Sequence, residues 1–215
     1  KDTLIAGDGL CDEKVVKIVV KDAPIRIQEL IDWGTNFDKN EQGEYDLAKE
    51  GGHSDHRILH YKDLTGNEIE RALIHKVENH PYITILNHHF AIDLITQHHL
   101  GQDVKRSTEN KECYGAYILN RKTDKIFTLL SKITLLATGG VGQAYANTTN
   151  PTVATGDGIA MAYRAKALIK NMEFIQFHPT ALYNPSDNPS FLISEAVRGA
   201  GGILRDHKGY AFMQD

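Results

Sequence analysis

Ile133-Thr-Leu-Leu-Ala-Thr-Gly-Gly140, followed after a loop by Thr155-Gly-Asp-Gly-Ile-Ala-Met161, is the stretch whose reading decides the fold. Ile133 to Thr138 is nearly all apolar and ends in two glycines, the pattern of a buried strand entering a loop that can approach a bound cofactor closely. Gly156-Asp-Gly158 then opens a helix carrying Ile159, Met161, Ala162 and Ala165. With small residues there, a cofactor backbone can come near while Asp157 accepts a hydroxyl hydrogen bond. Equally, Gly139 and Gly140 can make a turn, and Asp157 can be a helix-start residue favoured by the dipole. A dinucleotide fingerprint needs GxGxxG between strand and helix, so that pyrophosphate reaches the helix N-terminus. No glycine group completes it: Gly7-Asp-Gly9 lacks the third glycine, Gly140-Val-Gly142 is followed by Tyr145, and Gly156-Asp-Gly158 by Met161.

Upstream of this stretch, runs rich in β-branched and aromatic residues read as strands: Tyr82 to Leu86, Phe90 to Thr96, Cys113 to Leu119 and Ile126 to Leu130. Arg121-Lys-Thr-Asp124 reads as a hairpin turn, so the middle of the chain is expected to be an antiparallel meander. Thr65-Gly-Asn-Glu68 has the form of a capping box, and Ile69, Ala72, Leu73, Lys76 and Val77 continue at helical spacing until Asn79-His-Pro81. Nearer the N-terminus, Asp12 caps a helix, and Asp22-Ala-Pro24 is expected to break it and restart a second one that stops at Gly34. Gly43 marks a turn. After Asn171 the pattern shifts to strands and proline-containing loops, which puts a domain boundary near residue 170.

Two further groups of residues can carry chemistry. His53, His56 and His60 stand at i, i+3 and i+7, a spacing that on a helix gathers three imidazoles around a metal; Gly51-Gly52 disfavours that helix, and polar histidines or a loop lining a bound molecule are the competing readings. In the other group, Pro179 holds His178 extended, and Ser194-Glu195-xx-Arg198 sets a hydroxyl, an acid and a base on one helical turn. Imidazole, hydroxyl and guanidinium together suit a carboxylate ligand. The local alternative is Ser194 as an N-cap beside a Glu195–Arg198 ion pair.

Composition bounds the function. Lys and Arg number 24 against 28 Asp and Glu, a formal charge of −4, which argues against a nucleic-acid or anionic-membrane surface. With 215 residues, 41% of them apolar and 24% charged, the chain is of ordinary globular composition and can bury a core. Cys11 and Cys113 form no CxxC and fit a reducing compartment, the cytoplasm. No apolar run approaches a membrane span, and the opening Lys1-Asp-Thr3 lacks both Met and an apolar leader, which suggests a piece of a longer chain.

In this order the motifs resemble the flavoprotein family of succinate dehydrogenase, fumarate reductase and L-aspartate oxidase. The densest similarity lies in Leu136-Ala-Thr-Gly-Gly140, Tyr145-xx-Thr-Thr-Asn150, Gly156-Asp-Gly-Ile-Ala-Met161, Gln176-Phe-His-Pro-Thr180, Glu195-xx-Arg-Gly199 and Arg205-Asp-His-Lys-Gly209. Within the family, Asp2-Thr-Leu-xx-Gly7, Glu50-Gly-Gly-His-Ser54 and His56-Arg-Ile-Leu-His60 are most similar to the aspartate-oxidising branch, and the dehydrogenases usually have glutamine where this chain has Glu50. A carboxylate facing bare succinate is repulsive, by a few kcal/mol on the order of contact-distance Coulomb energies, whereas facing aspartate it pairs with the ammonium.

The resemblance implies an α/β plus α+β fold: an incomplete FAD-binding, dinucleotide-binding-like domain with an antiparallel meander over 1–170, then the start of a fumarate-reductase-type capping domain over 171–215. It implies FAD as cofactor, held by Gly156 and Asp157, the Gly139–Gly140 loop and the backbone of Phe90 and Ala91. His178 and Ser194 would bind substrate carboxylate, Glu50 would orient the ammonium, and Glu195 with Arg198 would form the proton-relay patch; no metal is implied. Ser194 stands where threonine is common, and keeps the hydroxyl. L-Aspartate would lose hydride to the flavin and become iminoaspartate, with oxygen or fumarate as acceptor, feeding quinolinate and NAD synthesis with quinolinate synthase as candidate partner.

The family's N-terminal GxGxxG and its acid/base arginine in a Pro-Arg-Asp-type motif do not occur in these 215 residues. The chain by itself is therefore expected neither to hold FAD nor to turn over. The remaining alternatives are a succinate dehydrogenase or fumarate reductase flavoprotein piece, an inactive self-associating module, and a metal-dependent hydrolase using the three histidines.

Overall fold

The computed structural model describes residues 1–50 and 52–213. The chain forms two compact units, Lys1–Ile85 with Ser194–Asp215, and Leu86–Ile193.

In the first unit a short helix α1 (Asp2–Ala6) precedes the long α2 (Glu13–Asp32). Asp12 caps α2 as its sequence indicates: its Oδ1 accepts hydrogen bonds from the amides of Lys14 (2.9 Å) and Val15 (3.3 Å). The expected break does not occur, because α2 runs on through Pro24. Proline's fixed φ is itself helical, and its ring removes one amide from a ladder that the turns on both sides maintain. A turn at Gly43 (φ 82°) leads to two short antiparallel strands, β1 (Leu47–Ala48) and β2 (Ile58–Leu59), paired Leu47 with Leu59 and Ala48 with Ile58.

Helix α3 (Thr65–Glu78) spans the expected residues and ends at Asn79, but the capping box is not made. Thr65 Oγ1 instead accepts from the Tyr61 amide at 3.1 Å. The buried Glu68 carboxylate turns to the Asn36 amide (2.8 Å) and to the Arg71 guanidinium (2.8 and 2.7 Å). These partners, Arg71 first, hold its carboxyl down at about 2. Phe37 and Ala72 are the buried apolar side chains of this unit among the described residues. The unit closes with α5 (Glu195–Gly199).

The second unit contains the meander: β3 (His89–Thr96), β4 (Cys113–Asn120) and β5 (Lys125–Leu130) in the order β3-β4-β5, both pairings antiparallel. The hairpin turn lies where the sequence puts it, with Asn120 Oδ1 accepting from the Lys122 amide at 2.9 Å. Gly115 (φ 138°) is the one residue type tolerated at its position, since a Cβ there would collide with the Leu129 carbonyl of β5. Helix α4 (Asp157–Arg164) is also as expected. Met161, 2% exposed, anchors it in a core with Leu94, Ile95, Val104, Ile118 and Ala154. Its C-terminal Arg164 reaches β3, with Nε on Asp93 Oδ2 at 2.8 Å and Nη2 on the Ile92 carbonyl at 3.2 Å, where the register shifts between Ala91 and Asp93.

Several expected strands are absent among the described residues. Tyr82 to Leu86 and Ile133 to Thr138 are irregular, with Ile133 and Leu135 both 86% exposed. Beyond Asn171 there is only an isolated antiparallel bridge between Ala181 and Leu192 among the described residues. In each case the side chains suit a strand, but no neighbouring strand among the described residues supplies the ladder that would satisfy its backbone. The described ladders are accordingly all antiparallel. Among the described residues, no helix is long and apolar enough to cross a membrane.

Candidate functional site

The glycine-rich segment is built by close backbone approach. Gly156 adopts φ 80° at the N-cap of α4 and donates its amide to the Gly140 carbonyl at 3.1 Å. A Cβ on Gly156 would lie 2.9 Å from Val141 Cγ2, and one on Gly158 would overlap Thr138 Oγ1. Those two glycines therefore serve to pack the start of α4 against residues 138–141. Gly139 (φ 76°) and Gly140 differ: nothing lies within 4 Å of a Cβ built on either. Their backbone is open to a ligand, and Asp157 stands exposed in the first turn of α4. An open backbone beside an exposed carboxylate acceptor fits an FAD molecule that offers phosphate and hydroxyl groups.

A cavity of about 570 Å³ opens from Gly140 to His178, lined also by Tyr145, Thr148, Asn150 and Phe177. Tyr145 and Phe177 meet edge to face at 5.4 Å. His178 is half-buried, and its Nδ1 lies 2.7 Å from the Thr180 carbonyl and 3.3 Å from the Thr180 amide, contacts that fix the ring. Phe90 and Ala91 lie on β3 opposite Leu119 and Ile118. The second unit thus collects His178 and every expected cofactor residue, and joins His178 and Gly140 in one cavity.

The first unit holds the remaining expected residues. Ser194 caps α5, its Oγ accepting from the Ala196 amide at 3.2 Å, and Glu195 pairs with Arg198 at 3.2 Å, which is the local arrangement their spacing allows. Glu50 begins the loop after β1; its amide donates to His53 Nδ1 at 3.4 Å and its carbonyl accepts from the His53 amide at 3.0 Å. Gly51 of the same motif lies outside the described residues. A Cβ on Gly199 would come 3.8 Å from the Lys49 carbonyl, so the end of α5 is a neighbour of the Glu50 loop.

The three histidines do not converge. Residues 53 to 60 are not helical, and His60 lies between Asp38 (3.2 Å) and Asp46 (3.5 Å). Among the described residues no group of three or more His, Cys, Asp or Glu is disposed to hold a metal ion.

One cluster has no local signature in the sequence. Asp2 Oδ2 accepts from the Ser54 amide (2.8 Å), Ser54 Oγ (2.9 Å) and Arg57 Nη2 (2.7 Å), across more than fifty positions of chain. The Ser54 amide first, then Arg57, hold its carboxyl well below the usual carboxylate range. Spacing carries no sign of such a contact; only the presence of Asp2 and Ser54 in separate motifs points to either residue.

The family described as FAD binding domain matches residues 1–215. L-aspartate oxidase 2-b, chloroplastic, of Nicotiana tabacum is 52% identical over 220 residues, covering 99% of this chain and 33% of the tobacco protein. L-aspartate oxidase 1 of Ralstonia nicotianae is 49% identical over 214 residues, covering 99% of this chain and 39% of its own. Among solved structures, a mutant of E. coli quinol fumarate reductase FrdA superposes over 100% of this chain and 34% of its own, at 28% identity and a TM-score of 0.84. The chain thus spans 31% to 40% of the length of the curated relatives it matches.

Proposed function

This chain belongs to the FAD-binding domain family, and on that premise we propose that it is part of an L-aspartate oxidase, an FAD-dependent oxidoreductase that converts L-aspartate to iminoaspartate. The observation carrying the substrate assignment is Glu50, an exposed carboxylate in a loop whose backbone is tied down locally. A negative group there favours a substrate with an ammonium and disfavours bare succinate.

On this reading FAD, when bound along Gly139, Gly140, Gly156 and Asp157 and the backbone of Phe90 and Ala91, supplies the two-electron acceptor. The chain's own residues bind and orient the substrate. His178, held through Nδ1 by the Thr180 backbone, offers Nε2 to a substrate carboxylate as a donor. Ser194 Oγ accepts the α5 amide and so keeps its own proton to donate to a carboxylate. Glu50 orients the ammonium. The Glu195–Arg198 pair moves protons to and from the site. The division into an FAD-binding part over 1–170 and the start of a cap over 171–215 belongs to the same proposal, as do oxygen or fumarate as acceptor, supply of iminoaspartate to quinolinate synthase for NAD synthesis, and a cytoplasmic location; the tobacco relative is chloroplastic by name.

A second reading, a succinate dehydrogenase or fumarate reductase flavoprotein, is favoured by the likeness to the fumarate reductase structure. Steady-state oxidation assays on the whole protein that carries this chain separate the two. Turnover of aspartate supports the proposal, and turnover of succinate without aspartate rejects it. The 215 residues lack a complete phosphate fingerprint, so the chain alone is proposed to purify colourless; a flavin absorption band would refute that part.

A further inference from the structure

The loop that presents Glu50 is held by few hydrogen bonds among the described residues. It is flanked by β1 and β2, which have two residues each and pair only Leu47 with Leu59 and Ala48 with Ile58. A ladder of that length is weak. Local closure comes from the His53 amide on the Glu50 carbonyl (3.0 Å), the Arg57 amide on the Ala48 carbonyl (3.1 Å) and Lys49 Nζ on the Ser54 carbonyl (3.1 Å). These bonds join the described residues of the loop to one another. A tie from outside the loop is Asp2, in the first turn of α1, which receives three hydrogen bonds through one carboxylate oxygen, two from Ser54 and one from Arg57. Charge-assisted bonds of this kind are the strong ones, and the Asp2 side chain is largely covered, 13% exposed against 43% for Arg57.

We infer that Asp2 is a positioning residue for substrate selection: through Ser54 and Arg57 it sets where the Glu50 carboxylate stands and so tunes recognition of the substrate's ammonium group. The inference rests on the role proposed for Glu50 in binding that group. Asp2 touches neither substrate nor cofactor in this scheme. Its removal therefore acts on one feature of the substrate, the amino group, and leaves dicarboxylate recognition by His178 and Ser194 in place.

The test compares Asp2→Asn, Ser54→Ala and Glu50→Gln in the complete flavin-loaded enzyme, with KM and kcat for aspartate and KM for fumarate as a dicarboxylate lacking the ammonium. Asp2→Asn is expected to raise KM for aspartate about tenfold with kcat changed less than about twofold, and to leave KM for fumarate and the bound flavin unchanged. Ser54→Ala is expected to give a smaller change in the same direction, and carries the test alone if Asp2→Asn does not fold. Adding Asp2→Asn to Glu50→Gln should cost little more than Glu50→Gln alone, because the clamp then has no carboxylate to aim. Equal losses for aspartate and fumarate would show a merely structural role and overturn the inference, as would an unchanged aspartate KM. If Glu50→Gln raises the aspartate KM while both clamp variants leave it alone, this inference fails and the role of Glu50 stands. If Glu50→Gln itself has no effect, both fail.

Discussion

The unit Leu86–Ile193 buries Leu94, Ile95, Val104, Ile118, Ala154 and Met161 around a three-stranded sheet, whereas the unit Lys1–Ile85 with Ser194–Asp215 buries Phe37 and Ala72 and ties its loops with carboxylates. Glu68 fastens α3 to Asn36 and Arg71, and Asp2 fastens the loop of Ser54 and Arg57. The glycines do not divide this way: Gly115, Gly156 and Gly158 of the second unit and Gly202 of the first are pressed by other residues, while Gly101 and Gly139 of the second and Gly34 and Gly43 of the first have positive φ with nothing near a Cβ. The second unit leans more on apolar burial, with the Arg164–Asp93 pair beside it, and the first leans more on charged hydrogen bonds such as those of Glu68 and Asp2.

The largest effect is expected from Met161→Ala in the apolar unit, a loss of about 3 kcal/mol of stability in urea unfolding, since α4 loses its most buried side chain. A loss near zero would mean that α4 is not anchored by this contact. Gly158→Ala comes next, at about 2 kcal/mol, because the new methyl must displace Thr138; Thr138→Ala in the same chain should recover part of it.

In the carboxylate-tied unit the decisive variable is acidity. The Glu68 carboxyl is depressed from an ordinary value of 4.5 to about 2 in the folded chain. Its contribution is therefore complete above pH 4.5 and disappears as the pH falls through about 2. Thermal melts of the parent and of Glu68→Gln should differ at neutral pH and converge across that window. A difference that persists unchanged at pH 2 would locate the effect in packing instead. The smallest effect belongs to Arg26→Ala: the pair with Glu29 on α2 is well aligned at 2.8 Å but 62% and 38% exposed, and its loss is expected to cost below about 0.5 kcal/mol.

Elements that depend on local chemistry are legible in the amino-acid sequence. Asp12 announces α2, the periodic apolar residues announce α3, and the run of β-branched residues interrupted by Arg121–Asp124 gives the meander and its turn. Where sequence and structure part, the cause is context. Pro24 suggests a break, yet the helix tolerates one missing amide. Thr65 and Glu68 have capping-box spacing, yet both find better partners elsewhere. Ile133–Thr138 has the composition of a strand without a neighbour to pair with among the described residues. The candidate site divides in the same way, since Ser194, Glu195 and Arg198 interact within one turn of chain and can be read from their spacing, while the Asp2 clamp cannot.

By itself the sequence determined the local elements and the order of motifs, because helix caps, turn residues and hydrophobic period act over a few residues of chain. Only the tertiary structure decided which glycines are closed by packing and which stay open, which carboxylate holds which loop, and that His178 shares a cavity with Gly140. Those outcomes depend on close contacts between residues far apart in the chain, and spacing along a sequence carries no record of distance in space.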